Sequence, residues 1–324
     1  MGIKIKAMTF MGGFIGVALV LMSTSGSIGY GAEPVKEYYK NGQLRLETFY
    51  HDGKLEGPFR NYYENGKLKS EGVLKNGKPE GSIKWYNENG PLERIEFYEN
   101  GKPEGPFKNY YENGKLKSEG VLKNGKPEGA ISWYDENGLL NETNFYRNAK
   151  PEGPFKKYYK NGKLKKEGAY KNGKLDGTVM QYDENGRFQN ERFYQNEKLE
   201  GPLKNYYANG NLKNGIFYHD GKPEGPFKNY YENGRLKSEG FLKNGEPVGT
   251  IKWYDENGKL KSEGLLKNEK LEGAVKWYYE NGQLKREAVF KDGKPVEPVK
   301  DYDEKGNLRG EKMSELPTPK VKPA

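Results

Sequence analysis

The chain's only imidazoles, His51 and His219, each stand directly before an Asp-Gly pair. The same position of the sequence pattern holds Lys75, Glu99 or Lys123 elsewhere, so the histidines read as substitutions at the edge of a turn, not as general bases. Ser70, Ser118, Ser238 and Ser262 are likewise equivalent to one another, and none has a histidine set apart for it. Nucleophilic catalysis needs one convergent site; residues that recur down the chain do not supply it. Glu71, Glu119, Glu167, Glu239 and Glu263 recur in the same way, each close to a basic residue. Two strands apart is ~9–10 Å, wider than the ~5 Å between the carboxylates of a retaining glycosidase, so they read as ion-paired surface groups. The glycines occur singly at turns and form no phosphate-cradling run. With no cysteine, disulfides, thiol chemistry and Cys-ligated zinc are excluded. No catalytic residue, metal or cofactor is expected. Asn141-Glu142-Thr143 spells a glycosylation sequon of the kind that chance alone provides.

What remains is a surface that could bind. Tyr62, Tyr110, Tyr158, Tyr206 and Tyr230 recur beside Lys69, Lys117, Lys165, Lys213 and Lys237. Tyrosine offers amphipathic contact area at low entropic cost, and the lysines could meet acidic groups. A protein partner is the expectation, with anionic envelope lipid or polysaccharide as an alternative. The lysine spacing is close to the Debye length of ~8 Å at physiological salt, and glutamates are interleaved, so nucleic-acid binding is not expected.

The elements that position these residues are legible from one period. Asn-Gly recurs at Asn41, Asn65, Asn89, Asn113, Asn137, Asn161, Asn185, Asn209, Asn233, Asn257 and Asn281, always 24 residues apart. Each unit carries a second turn, as in Tyr110–Trp133, where Asn124-Gly125 follows Asn113-Gly114. Asn-Gly between apolar runs signals a two-residue type I′ hairpin. Eleven full units over 38–301 and a partial twelfth predict 22 to 24 strands of about five to seven residues. The expected fold is all-β: an elongated single-sheet antiparallel meander, a solenoid of hairpin repeats, twisted and curled because so wide a sheet cannot stay flat. A two-residue turn at Asn113-Gly114 sets Tyr111 opposite Leu116, Asn109 opposite Ser118 and Phe107 opposite Gly120. The other face then pairs Tyr110 with Lys117, Lys108 with Glu119 and Pro106 with Val121. The face with Tyr63, Leu68, Phe107, Tyr111, Leu116 and Leu122 should line the inside of the curl, with the charged face outward. Tyr62–Gly81 and Tyr110–Gly129 are identical. The second turn loses its glycine at Ala149, Glu197 and Glu269, and Glu297 replaces the glycine that ends earlier units, which predicts that the array closes there.

Composition fits that frame. Mean hydropathy is −1.07, yet 14% of residues are aromatic and 25 of 26 tyrosines fall at three positions of the repeat, which argues for strands over solvated coil. The formal charge is +9, spread as alternating signs. Residues 1–32 carry Lys4 and Lys6, an apolar Ala7–Met22 and a small polar stretch, the pattern of a secretory signal peptide. The expectation is export to the periplasm, cell surface or medium, with an uncleaved membrane anchor as the alternative. The array should fill 33–311, and 312–324 reads as a disordered tail.

A unit of the form Y-x-x-N-G-x-L-x-x-E-x-x-Y-x-N-G-K-x-x-G resembles the bacterial variant of the MORN repeat found in YwqK-like antitoxin proteins. Tyr110, Asn113, Gly114, Leu116, Glu119, Asn124, Gly125 and Gly129 carry the match. The resemblance implies a β-sheet platform for protein or membrane association, and for some members an immunity role against a neighbouring toxin. An exported, non-enzymatic scaffold is therefore the expected function.

Overall fold

A computed structural model describes residues 33–313 except Glu269; the leader read over 1–32 and the chain beyond Met313 lie outside the described residues. These residues are all-β, and 26 strands join in one antiparallel sheet. Two of the 26 are short pieces, Lys174–Leu175 and Lys294–Pro295, of strands that resume after a break, leaving 24 legs. Each leg pairs with the next, as Lys102–Tyr110 with Leu116–Lys123 and that strand with Lys126–Tyr134. Among the described residues the first strand, Val35–Tyr38, pairs only with Leu44–Thr48, and the last, Leu308–Lys312, only with Val299–Tyr302. The sheet is an open ribbon.

The two turns of each unit differ. At Asn124-Gly125 both residues have positive φ (49° and 73°), the type I′ turn expected from the sequence. At Asn113-Gly114 only Gly114 does (φ 79°). There Gly114 N–H donates to Tyr111 O and Tyr111 N–H donates to Lys115 O, a three-residue loop with a glycine bulge. The expected two-residue turn is thus corrected at this edge. The register of Asn109–Ser118, Lys108–Glu119, Phe107–Gly120 and Pro106–Val121 is as read, but Tyr110 pairs with Leu116 and Lys117 becomes the extra residue. Asn113 earns its place through its side chain: its Oδ1 accepts from Lys115 N–H, and its Nδ2 donates to Glu136 O of the next turn.

Adjacent units are stitched at both edges. The Tyr111 hydroxyl donates to Tyr134 O at 2.8 Å, and Tyr63, Tyr159, Tyr207, Tyr231 and Tyr279 repeat the strap. On the opposite edge Glu104 accepts from Asn124 N–H of the following turn, and Gly125 N–H donates to Pro103 O. These bonds explain the tyrosine and the glutamate of the repeat, and many strands run to eight or nine residues, longer than expected.

The third glycine of each unit bends the ribbon. Gly129 has φ 77°, and around it Gly120 alone is opposed by the stretch between Glu128 and Ser132, a bulge that tightens twist and coil. In a flat single layer both faces would meet water, yet Ile83, Ile131, Phe155 and Ile251 are 0–3% exposed. That face is therefore wrapped inward. Phe107 lies on it as expected, and its ring covers Gly120, where an added Cβ would stand 3.0 Å from Phe107 Cε1. Leu116 does not follow. Phe188, its counterpart in a later unit, stacks at 5.5 Å on Tyr182 and 4.8 Å on Tyr206, so the bulge turns this position to the outward tyrosine row. Nor does the array close at Glu297. The strand breaks there and resumes at Val299–Tyr302, and the ladder continues to Lys312.

Ala149 and Glu197 hold the left-handed conformation without glycine, at φ 65° and 71°. An L-residue there costs roughly 1–2 kcal/mol. Glu197→Gly should raise the urea midpoint, a gain of about 1 kcal/mol after the extra chain entropy of glycine; an unchanged or lowered midpoint would contradict this turn geometry.

Candidate interaction face

The outward face is built in three parallel rows. The bulged edge contributes the tyrosines, the middle of each strand the charged pairs, and the segment near the type I′ turns an apolar row. The charged row is as expected: Lys108 Nζ lies 3.3 Å from Glu119 and Arg60 Nε 3.8 Å from Glu71. Pairs this exposed contribute at most ~1 kcal/mol each.

Tyr62, Tyr110, Tyr158, Tyr206 and Tyr230 are all half-buried in the tyrosine row, and Lys69, Lys117, Lys165, Lys213 and Lys237 are exposed. The lysines do not sit beside those tyrosines. Their Nζ atoms lie 5.2–5.8 Å from the ring centres of Tyr63, Tyr111, Tyr159, Tyr207 and Tyr231. The added turn residue moved each lysine one position along, onto a ring that also serves as a strap. A cation over an aromatic face is stabilised by ~0.5–1 kcal/mol at such sites.

The row also contains tyrosines that were not singled out from the sequence. The hydroxyls of Tyr86, Tyr134, Tyr182, Tyr254, Tyr278 and Tyr302 donate to Glu71, Glu119, Glu167, Glu239, Glu263 and Glu287 at 2.6–2.9 Å. Burial, then the carboxylate bond, pushes the phenols of Tyr86, Tyr254 and Tyr278 up from 10.0 to about 12. The fold holds these protons. Their contribution to stability is therefore complete below pH 10 and is lost as pH rises from 10 towards 12. Tyrosinate absorbance should show a late-ionising class that Glu71→Gln, Glu239→Gln and Glu263→Gln shift to lower pH. A titration unmoved by all three would contradict the assignment. For Tyr110, Tyr158 and Tyr230 the residue at the carboxylate position is Ile95, Thr143 or Gly215.

Tyr158 and Lys165 meet in a groove of about 600 Å³ with Asp135, Leu139, Asn141, Tyr159 and Glu184. Its origin is a break in the repeat. Lys67, Lys115 and Lys163 each reach the next turn's carbonyl with Nζ, whereas the equivalent residue here is Leu139, which cannot donate and stays 44% exposed.

The apolar row was missed by sequence reading. Val73, Phe97, Val121, Phe145, Phe193, Phe217 and Phe241 are 36–49% exposed and recur at multiples of 24 residues. The rings lean over the unit-ending glycines: an added Cβ at Gly105 would come within 3.1 Å of Phe97, and at Gly225 within 3.0 Å of Phe217. The alternation already set Val121, opposite Pro106, on the outward face, as found; what it did not single out is that this position stays apolar from unit to unit and forms a continuous exposed row. The histidines behave as read: His219 Nδ1 lies 2.7 Å from Glu200, and His51 beside Asp52, both exposed at the turn edge.

An open single-sheet ribbon of stitched hairpins, carrying aromatic rows on its outer face, defines a β-repeat scaffold. The chain belongs to the MORN repeat variant family, which matches residues 34–54, 55–76, 79–100, 103–124, 151–172, 199–220, 223–244, 247–268 and 271–292. No curated protein matches the chain. Among solved structures it is similar to the TcdB2–TccC3–Cdc42 crystal structure (13% identity, 86% of this chain, 17% of that chain, TM-score 0.19). It is also similar to the Photorhabdus luminescens Tc holotoxin pore with the TccC3 D651A mutation (14% identity, 87% of this chain, 16% of that chain, TM-score 0.19). The chain spans about a sixth of the length of the solved chains it matches.

Proposed function

We propose that this protein is an exported, non-enzymatic scaffold that holds a protein partner on its outward face. The carrying observation is the row of Phe97, Phe145, Phe193, Phe217 and Phe241, between about a third and a half exposed on a protein whose surface is otherwise densely charged. Periodic exposed aromatics rimmed by polar groups favour a protein interface, and the neighbouring tyrosines and lysines extend it. Export rests on the leader pattern of residues 1–32. Phe97, Phe145 and Phe193 changed together to serine, or Tyr110, Tyr158 and Tyr206 changed together to serine, should each abolish capture of the partner that the unaltered chain retains from its own cell envelope. Circular dichroism should stay unchanged. Capture undiminished in both variants would remove the outward face from consideration.

A further inference from the structure

The inner face, apolar or small over most of its length, carries a charged cluster in mid-array. Glu142 sits opposite Lys157, Lys157 opposite Lys166, and Lys166 opposite Gln181; Arg192 lies on the next strand, opposite Val179. The same repeat position holds a buried serine at Ser70, Ser118, Ser238 and Ser262, a buried asparagine at Asn190 and Asn214, and a charged residue at Arg94, Glu142 and Arg286. The other arginines of this face are matched within the fold. Arg94 stacks 4.2 Å over Trp85 and pairs with Glu96 at 3.2 Å, and Arg286 bonds Asp301 at 2.6 Å.

The mid-array cluster is not balanced. Glu142 is taken by Lys157 Nζ at 3.3 Å and by Asn144 Nδ2 at 2.9 Å. Lys166 and Arg192 have no ion pair among the described residues, and Arg192 Nε is buried without any hydrogen-bond partner. Burial, then Lys157 and Arg192, pulls the Lys166 ammonium below its ordinary value. Three cations against one carboxylate leave a net +2 beside the buried Phe155 and Val179. Partly desolvated, uncompensated charge of this kind costs stability unless a counter-charge arrives.

We propose that Lys166 and Arg192 form a carboxylate-binding site for an acidic segment of a protein partner, on the face opposite the aromatic rows and independent of them. The Glu142–Lys157 pair already seats one carboxylate here. An incoming Glu or Asp would give Lys166 and the Arg192 guanidinium a counter-ion, while apolar neighbours of that acid would meet Tyr170, whose ring packs on the buried Phe155 at 4.9 Å. The partly exposed ring of Tyr170 beside the cluster favours an acid carried on an apolar peptide segment over a free phosphate dianion.

The test titrates the full chain with a capped peptide of alternating leucine and glutamate, its glutamine counterpart and inorganic phosphate, measuring binding by calorimetry in every variant and following the Arg192 Nε–H resonance in the unaltered chain. The glutamate peptide should shift that resonance, and Lys166→Met and Arg192→Met should each weaken binding at least about tenfold with strand dichroism retained. The Tyr110, Tyr158 and Tyr206 serine variant should bind as well as the unaltered chain, which separates this site from the outward face. Equal binding of the glutamine peptide, or undiminished binding by both methionine variants, would overturn the site. Phosphate binding more tightly than the glutamate peptide would overturn the carboxylate assignment.

Discussion

Phe155→Ala should destabilise its part of the array by about 3–5 kcal/mol while leaving the C-terminal units folded. The ring is 1% exposed, covers Gly168 and packs on Tyr170 at 4.9 Å. Alanine would leave a cavity that a ladder fixed by backbone bonds on both sides closes poorly. Each unit touches only its neighbours, so the loss should not spread evenly. Ile251, Leu271, Val275, Phe290 and Val299 form a separate, 0–2% exposed core far along the chain. Hydrogen exchange should accelerate in Lys150–Tyr158 and Leu164–Lys171 and stay slow in Lys270–Tyr278 and Leu284–Lys291. Simultaneous loss of protection along the whole chain would mean that the array folds as one unit.

One substitution placed on the two faces should act with opposite signs. At Gly240 an added Cβ would lie 2.8 Å from Phe227 Cε1 and 3.0 Å from Ile251 Cγ1, and Ile251 is wholly buried. Gly240→Ala should therefore cost about 1–3 kcal/mol through overpacking. At Gly215 nothing stands within 4 Å of that atom and φ is not positive. Gly215→Ala should be neutral or add up to about 1 kcal/mol by restricting the unfolded chain. Urea midpoints of the two variants decide it: a loss at Gly215, or none at Gly240, would reverse the assignment of inner and outer faces.

The period of Asn-Gly pairs was enough to read the meander, the ion-paired row and the ring lying over Gly120, since each depends on local turn chemistry and on side-chain alternation. The turn at Asn113-Gly114 was misread because Asn-Gly serves two loops equally well. The choice of the longer one depends on the Tyr111 strap and the Asn113 clamp to the next unit, which are contacts 23 residues away. That extra residue carried Lys117 from Tyr110 to Tyr111 and Leu116 to the outer row. The facing of the phenylalanine row followed from the same alternation, since Val121 opposite Pro106 lies on the outward face; the row went unremarked because valine and phenylalanine at one position among charged neighbours do not reveal how much of each side chain stays uncovered. The departures at Leu139, Lys166 and Arg192 were present in the sequence, but the repeats around them drew the reading towards what recurs.

Nearest-neighbour stitching of 24-residue hairpins is the claim from which the faces, the groove and the inner cluster all derive. It is tested most directly by spin-label distances between turn tips on one edge, in a chain that has no native cysteine to interfere. Labels at Glu112 and Lys160, 48 residues apart, should lie ~19 Å apart, and labels at Glu112 and Glu184, 72 residues apart, ~29 Å apart. Similar distances for the two pairs, or a longer one for the nearer pair, would contradict the ribbon.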